Sequence, residues 1–132
     1  MKLKLCILVG VLGLLSPTVL SAHHAFSAEY DGNKTIELKG VVTKVEWMNP
    51  HVRFYVDVKD ANGKATNWDL ELQSPNTLTR AGWHRAALKA GDQVTVSAYL
   101  AKDGSNRANA RGAVTLANGT KLFAGDQRGS ER

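Results

Sequence analysis

Residues 35–47 read TIELKGVVTKVEW and predict one long, sharply bent β-strand. Their apolar positions are first even, at Ile36 and Leu38, and become odd from Val41 onward. Because alternate residues of a strand face opposite sides of the sheet, this change moves the apolar face from one side to the other. Gly40 lies at the predicted switch, where a β-bulge would bend the strand.

A hairpin signal follows this strand. Residues 52–58 alternate apolar with polar side chains, and residues 68–72 do the same, which is typical of half-buried strands. Asn62-Gly63 lies between the two segments, and this pair tolerates the positive φ angles of a tight turn. We therefore expect the second and third strands to form an antiparallel pair.

Ser74-Pro75 predicts the beginning of a short helix, because serine caps helix N-termini and proline suits the first helical position. The helix is expected over residues 76–89. Its inward-facing residues would be Leu78, Ala81 and Leu88.

Further strands are predicted after this helix. Residues 94–100 alternate as a strand, residues 102–109 would form a polar loop, and residues 111–116 and 120–123 would form a last hairpin. This order predicts a mainly β protein: an OB-fold-like barrel of five or six strands, with one short helix between strands 3 and 4. A small β-sandwich with a helix across one end is the alternative.

The first 22 residues have the features of a secretory signal peptide. Lys2 and Lys4 begin a short basic region, residues 5–15 form an apolar run, and small residues precede position 23. The apolar run is about half the length that a bilayer-spanning helix needs, although a retained membrane anchor is the alternative.

We therefore expect export to the periplasm or beyond the cell, with no membrane span after cleavage. The predicted organisation is a signal peptide over residues 1–22, one OB-like domain over residues 23–125 and a polar, disordered tail over residues 126–132.

Composition excludes several kinds of site. The one cysteine, Cys6, lies in the predicted leader, so the mature chain would hold no disulfide, thiolate metal site or cysteine nucleophile. The net charge of +5 would fall to +3, because Lys2 and Lys4 leave and no acid leaves with them. The remaining basic residues are interspersed with acids, so we expect no nucleic-acid partner.

Histidines at the predicted mature N-terminus suggest a metal site. Cleavage after Ala22 would make His23 the first residue, so that its α-amine and imidazole could bind one metal ion. His51 is expected to supply the second imidazole, which gives a three-nitrogen set suited to Cu(II), and His24 would be a spare ligand.

Cleavage one residue earlier would change the ligands. A chain beginning Ala22-His23-His24 would bind Cu(II) or Ni(II) through its amine, two amides and the imidazole of His24, without His51. In the alternative without metal, the histidine pair is only a polar start to the chain, and His51 caps a turn near Asn49.

A second candidate site is the face of the second and third strands, where OB-folds bind ligands. That face would carry His51, Arg53, Tyr55, Asn67, Asp69 and Glu71. Its mixed charges suit a carbohydrate, peptide or partner protein better than single-stranded nucleic acid. The candidate ligand-binding residues are Trp47, Asn49, Arg53 and Tyr55. The alternatives are core packing for Trp47 and a solvent-facing polar sheet for the others.

Five segments resemble one family of small exported bacterial proteins that is known only as a domain of unknown function. They are His23-His24-Ala25-Phe26, Glu29-Tyr30-Asp31, Lys39-Gly40-Val41-Val42, VEWMNPH at residues 45–51, and Gly82-Trp83-His84-Arg85. The resemblance implies export and the limits of the domain, and it supplies no activity.

No motif of a known nucleophile, zinc protease or phosphate-binding loop occurs in the sequence. We therefore expect a non-catalytic, exported binding module that holds copper or another divalent metal at its N-terminal histidines. The alternative is an envelope interaction module that binds a protein, peptide or small ligand on its barrel face without metal. A copper-dependent oxidase is a third, weaker alternative.

Overall fold

The computed structural model describes residues 26–125. Six strands are present in this part of the chain: β1 (Tyr30–Glu46), β2 (Arg53–Lys59), β3 (Ala65–Glu71), β4 (Gln93–Ala101), β5 (Arg107–Leu116) and β6 (Lys121–Gly125). One helix, α1 (Pro75–Arg80), lies between β3 and β4, and residues 26–29 form a helical turn ahead of β1. The predicted signal peptide, His23, His24 and the predicted tail lie outside the described residues.

The sheet closes on itself as a ring. β1 pairs antiparallel with both β2 and β4, β2 pairs with β3, and β4 pairs with β5. A short parallel pairing of β3 with β5 completes the ring, and β6 is added along β5. The strand order and the position of α1 confirm the predicted mainly β, OB-like fold.

The change of face in β1 occurs after Val42 rather than at Gly40, so this detail of the prediction is wrong. Leu38 and Val42 are both buried, whereas Val41, which was predicted to face inward, is 41% exposed. The pairing of β1 with β2 shifts register between Val42 and Lys44. This irregularity is what moves the apolar positions from even to odd numbers.

Gly40 instead permits a close approach between β1 and β2. A Cβ atom at Gly40 would lie 2.2 Å from the carbonyl oxygen of Asp57 and 2.8 Å from Cγ1 of Val56. Real Cβ atoms essentially never come within 3.0 Å of another residue, so any larger residue would force the two strands apart.

Two strand boundaries differ from the prediction. β1 begins at Tyr30 rather than at Thr35, because Tyr30 pairs with Ala101 of β4 beyond an irregular stretch. β5 begins at Arg107, inside the predicted polar loop, because residues 107–109 pair with β3. Both extensions depend on partners that are distant in the sequence.

The helix begins as predicted and ends earlier. Oγ of Ser74 accepts a hydrogen bond from the backbone N–H of Thr77, and Pro75 occupies the first turn. α1 ends at Arg80 because Gly82 adopts a positive φ of 95°, a conformation that stops helices.

The segment after α1, which was predicted to continue as helix to Lys89, is a series of turns. Leu88 is buried as expected, whereas Ala81 is exposed. Trp83 is also buried, and its Nε1–H donates to the carbonyl oxygen of Phe123 at 2.8 Å. The turns therefore hold β6 against the rest of the fold.

Two groups of buried side chains stabilise the ring. The main core draws on every strand and on α1, with Leu38, Phe54, Leu70, Leu78, Val96, Val114 and Ala124 among its members. A smaller aromatic cluster contains Phe26, Tyr30 and Tyr99. The ring centroid of Phe26 lies 5.7 Å from that of Tyr30 and 5.4 Å from that of Tyr99. This cluster fixes residues 26–29 against β1 and β4.

No helix within residues 26–125 combines the length and the apolar character that crossing a membrane requires.

Candidate functional site

A pocket of about 270 Å³ lies where the loop between β1 and β2 meets the beginning of β2. Residues from the first helical turn and from β1, β2, β3 and β5 contribute to it. Its lining includes Phe26, Tyr30, Met48, His51, Glu71 and Arg107. We refer to it as the His51 pocket.

Glu71 is a buried charged residue of this pocket, with 7% of its surface exposed. His51 Nδ1 lies 3.0 Å from Oε1, and the hydroxyl of Tyr30 donates to Oε2 at 3.0 Å. Asn109 Nδ2 donates to Oε1 and Arg53 Nη1 to Oε2, each at 3.4 Å. A buried carboxylate needs such partners, because an unpaired charge away from water is strongly unfavourable.

These contacts keep Glu71 ionised. Burial alone would raise the pKa of its carboxyl group, but the hydrogen bond and charge of His51 oppose this, as do Tyr30 and Arg53. The result is a pKa for Glu71 below its ordinary value. Burial, and then the charge of Glu71, raise the pKa of the Tyr30 hydroxyl, so this hydroxyl remains a donor.

A second layer of ion pairs surrounds this centre. Arg53 Nε donates to Asp69 Oδ1 at 2.9 Å, and Arg107 Nη2 donates to Glu29 Oε2 at 3.1 Å. Arg107 Nε also lies 3.8 Å from Asp69 Oδ2. With His51 neutral, the carboxylates of Glu29, Asp69 and Glu71 outnumber the two guanidinium groups by one. The cluster therefore favours an added positive charge.

The contact with Glu71 fixes the orientation of the His51 ring. When His51 is neutral, Nδ1–H donates to the carboxylate, and Nε2 carries the free lone pair. No described residue forms a hydrogen bond with Nε2, and the side chain is 29% exposed. In metal-binding histidines, the ring N–H that does not face the metal commonly donates a hydrogen bond to a carboxylate in this way.

Within residues 26–125, no three His, Cys, Asp or Glu side chains form a group that could hold a metal ion. The other two predicted ligands, His23 and His24, lie outside the described residues. Phe26 follows His24 by two positions in the sequence and lines the same pocket as His51.

The predicted ligand-binding residues lie in different places. Arg53 lines the His51 pocket. Trp47 packs against the main core, and Asn49 is exposed in the loop between β1 and β2. Tyr55 is half-buried, and its hydroxyl donates to Glu46 Oε2 at 3.0 Å. Of these four residues, only Arg53 belongs to the pocket.

β2 and β3 pair with Arg53 opposite Glu71 and Tyr55 opposite Asp69, so these residues of the predicted face are neighbours. Glu71, however, is not on an open polar strip. The pairing of β3 with β5 places Asn109 beside it and removes it from solvent.

Sequence reasoning missed several pocket residues, among them Tyr30, Met48 and Arg107. Tyr30 and Glu71 are 41 positions apart, and their contact depends on how the ring closes. One signal was present, because polar and apolar residues alternate over residues 107–110 inside the segment that was predicted as a loop.

Comparison with known proteins identifies a family and no activity. No curated protein matches the chain by sequence. One solved structure with a similar fold is a mitochondrial single-stranded DNA binding protein from S. cerevisiae, with 8% identity and a TM-score of 0.48. The alignment covers 64% of this chain and 93% of that chain. Because one fold serves many functions, this similarity does not identify a ligand for the present chain.

The sequence model of DUF6152, a family of unknown function, matches residues 13–110. The matched segment includes all residues of the His51 pocket. It also agrees with the resemblance found in the sequence. The chain therefore belongs to DUF6152, a family of unknown function.

Proposed function

We propose that this protein is an exported, non-catalytic binding module that holds copper or another late divalent metal at the His51 pocket. The ligands are Nε2 of His51 and the α-amine and imidazole of His23, with His24 as a further ligand. Export through cleavage of residues 1–22 is part of this proposal, because only cleavage after Ala22 makes the His23 amine available.

The observation that carries the proposal is the contact between His51 and Glu71. An imidazole binds a metal through a nitrogen lone pair, so the other nitrogen must carry the proton. The buried Glu71 carboxylate accepts a hydrogen bond from Nδ1–H, which leaves the lone pair on Nε2, and His51 lines the pocket. A carboxylate in this position also makes the imidazole a better ligand.

Charge and chain length support the same function. When His51 is neutral, the three carboxylates of Glu29, Asp69 and Glu71 face two guanidinium groups, and this excess of one negative charge attracts a cation. His23 precedes Phe26 by three positions, a length of chain that can span about 10 Å at most, and Phe26 lines the pocket. We propose no nucleic-acid partner, because Arg53 and Arg107 are both paired with carboxylates.

The test is a measurement of intact mass and Cu(II) binding on mature protein purified from the periplasm. We expect a chain that begins at His23 and binds one Cu(II) tightly. Replacing His51 by alanine should abolish tight binding, whereas His84→Ala is the matched control, because His84 is an exposed histidine outside the pocket.

Two results would count against this function. If one Cu(II) binds and His51→Ala changes nothing, the site is the N-terminal peptide alone. If no stoichiometric binding occurs, the pocket is not a copper site.

A further inference from the structure

Met48 is an exposed methionine in a pocket whose lining also includes His51 and Glu71. It is 48% exposed and lines the His51 pocket. The other large apolar residues exposed within residues 26–125 are Val41 and Phe123, and neither lines this pocket. Met48 therefore places a thioether at the same cavity as the imidazole of His51.

A thioether and an imidazole form a soft ligand pair. Soft sulfur ligands select Cu(I) over harder cations, and imidazole binds copper in both oxidation states. The carboxylates of Glu71 and Asp69 are already bonded to protein donors. The carboxylate of Glu29, which also lines the pocket, accepts a hydrogen bond from Arg107 at Oε2. A soft metal ion would therefore favour the sulfur and the nitrogen over these oxygen atoms.

The surroundings of the pocket also suit a monovalent ion. A single positive charge would neutralise the excess carboxylate of the cluster. Phe26 and Pro50 add apolar surface to the lining. An apolar shell limits access of water to a bound metal and favours the state of lower charge.

We propose that the His51 pocket binds the cuprous ion, with Sδ of Met48 and Nε2 of His51 as ligands. This inference rests on the proposed metal function and adds to it a ligand and an oxidation state. Cu(I) has a filled d shell and is stable with few ligands. It can therefore bind where the described residues include no group of three histidine or acidic ligands.

The first test is an anaerobic Cu(I) titration of the mature protein in competition with bicinchoninate, a coloured Cu(I) chelator. Met48→Leu preserves the size of the side chain and removes the sulfur, so it should fold normally. We expect this variant to lose at least about tenfold in Cu(I) affinity, as metal sites commonly do when a supporting contact is removed, and to keep its Cu(II) affinity. Phe123→Leu, at an exposed residue outside the pocket, is the control and should change neither affinity.

The second test observes the contact directly. Met1 and Met48 are the only methionines, so in a chain whose leader has been removed selenomethionine labels one site. X-ray absorption at the selenium edge should then show a copper neighbour after loading with Cu(I).

An unchanged Cu(I) affinity in Met48→Leu, or a selenium spectrum without copper, would overturn the cuprous site. In that case, Cu(II) binding that still depends on His51 would leave the proposed function standing. If the unmodified protein binds neither Cu(I) nor Cu(II), both the cuprous site and the proposed metal-binding function are overturned.

Discussion

Nδ1 of His51 lies 3.0 Å from Oε1 of Glu71, at the junction of β2, β3 and β5. This contact joins a partly exposed imidazole to a buried carboxylate, which Tyr30, Arg53 and Asn109 also bind. Glu71 therefore has two roles that experiments can separate. It orients His51 towards the pocket, and it holds together strands that are distant in the sequence.

Replacing Glu71 by glutamine tests the first role. The side chain keeps its size and loses its charge, so the preference for a proton on Nδ1 of His51 weakens. We expect copper affinity to fall by about 10- to 100-fold, as for other carboxylate partners of metal-binding histidines. Chelator competition measures this change. Glu37→Gln, at an exposed position on β1, is the control, and equal affinities in the two variants would contradict the assigned role.

The second role of Glu71 should appear as a pH dependence of stability. Its carboxyl group has a folded-state pKa below the ordinary value of 4.5, so the folded state gains stability when the group is ionised. That contribution is complete above about pH 5 and is lost as the pH falls through the lowered folded-state pKa.

Urea unfolding between pH 7 and pH 3 measures the effect. Glu71→Gln should lower the free energy of unfolding at pH 7 by about 1–3 kcal/mol and should flatten its decline below pH 4.5. If the free energy of unfolding of Glu71→Gln falls with pH as steeply as that of the unmodified protein, other carboxyl groups cause the decline.

Gly40→Ala should destabilise the fold through a backbone clash. The new Cβ atom would lie 2.2 Å from the carbonyl oxygen of Asp57, a contact that only movement of β1 away from β2 can relieve. We expect a loss of about 3 kcal/mol or more in the free energy of unfolding, at the upper end of overpacking effects. The neighbouring change Lys39→Ala, at an exposed residue, should alter stability by no more than about 0.5 kcal/mol. Similar losses in both variants would refute the clash.

Trp83→Phe should loosen β6. It removes the hydrogen bond from Nε1 to the carbonyl oxygen of Phe123, which contributes about 1 kcal/mol. The amide hydrogens of Lys121–Gly125 should then exchange faster than in the unmodified protein, and this acceleration should exceed that of the amide hydrogens of β1. Trp68→Phe is the matched control, because Trp68 packs against the main core without such a bond to β6. Uniform acceleration in all strands would indicate global destabilisation instead.

The sequence correctly predicted those parts of the fold that depend on residues close together in the chain. The hairpin at Asn62-Gly63 needs only alternation and a turn, and Ser74 caps α1 through a residue three positions away. The end of α1 was misjudged because a helical apolar pattern continues to Leu88. The positive φ of Gly82 overrides that pattern.

The pocket was only partly predictable. Alternation correctly placed His51 and Arg53 near one face, because both lie in or beside one strand. Tyr30 and Arg107 reach the pocket through pairings of β1 with β4 and of β3 with β5, and no local pattern reports such pairings. The burial of Glu71 has the same origin, since Asn109 covers it from β5.

The short parallel pairing of β3 with β5 also has a kinetic consequence. Contacts between residues distant in the sequence form late, because a long loop must close first. The contacts of Glu71 with Asn109 and Tyr30 span 38 and 41 positions and therefore form late. A partly folded chain can contain the β2–β3 hairpin and still lack the pocket. A ligand held there would bind only the completed ring. It would therefore slow unfolding more than it speeds folding.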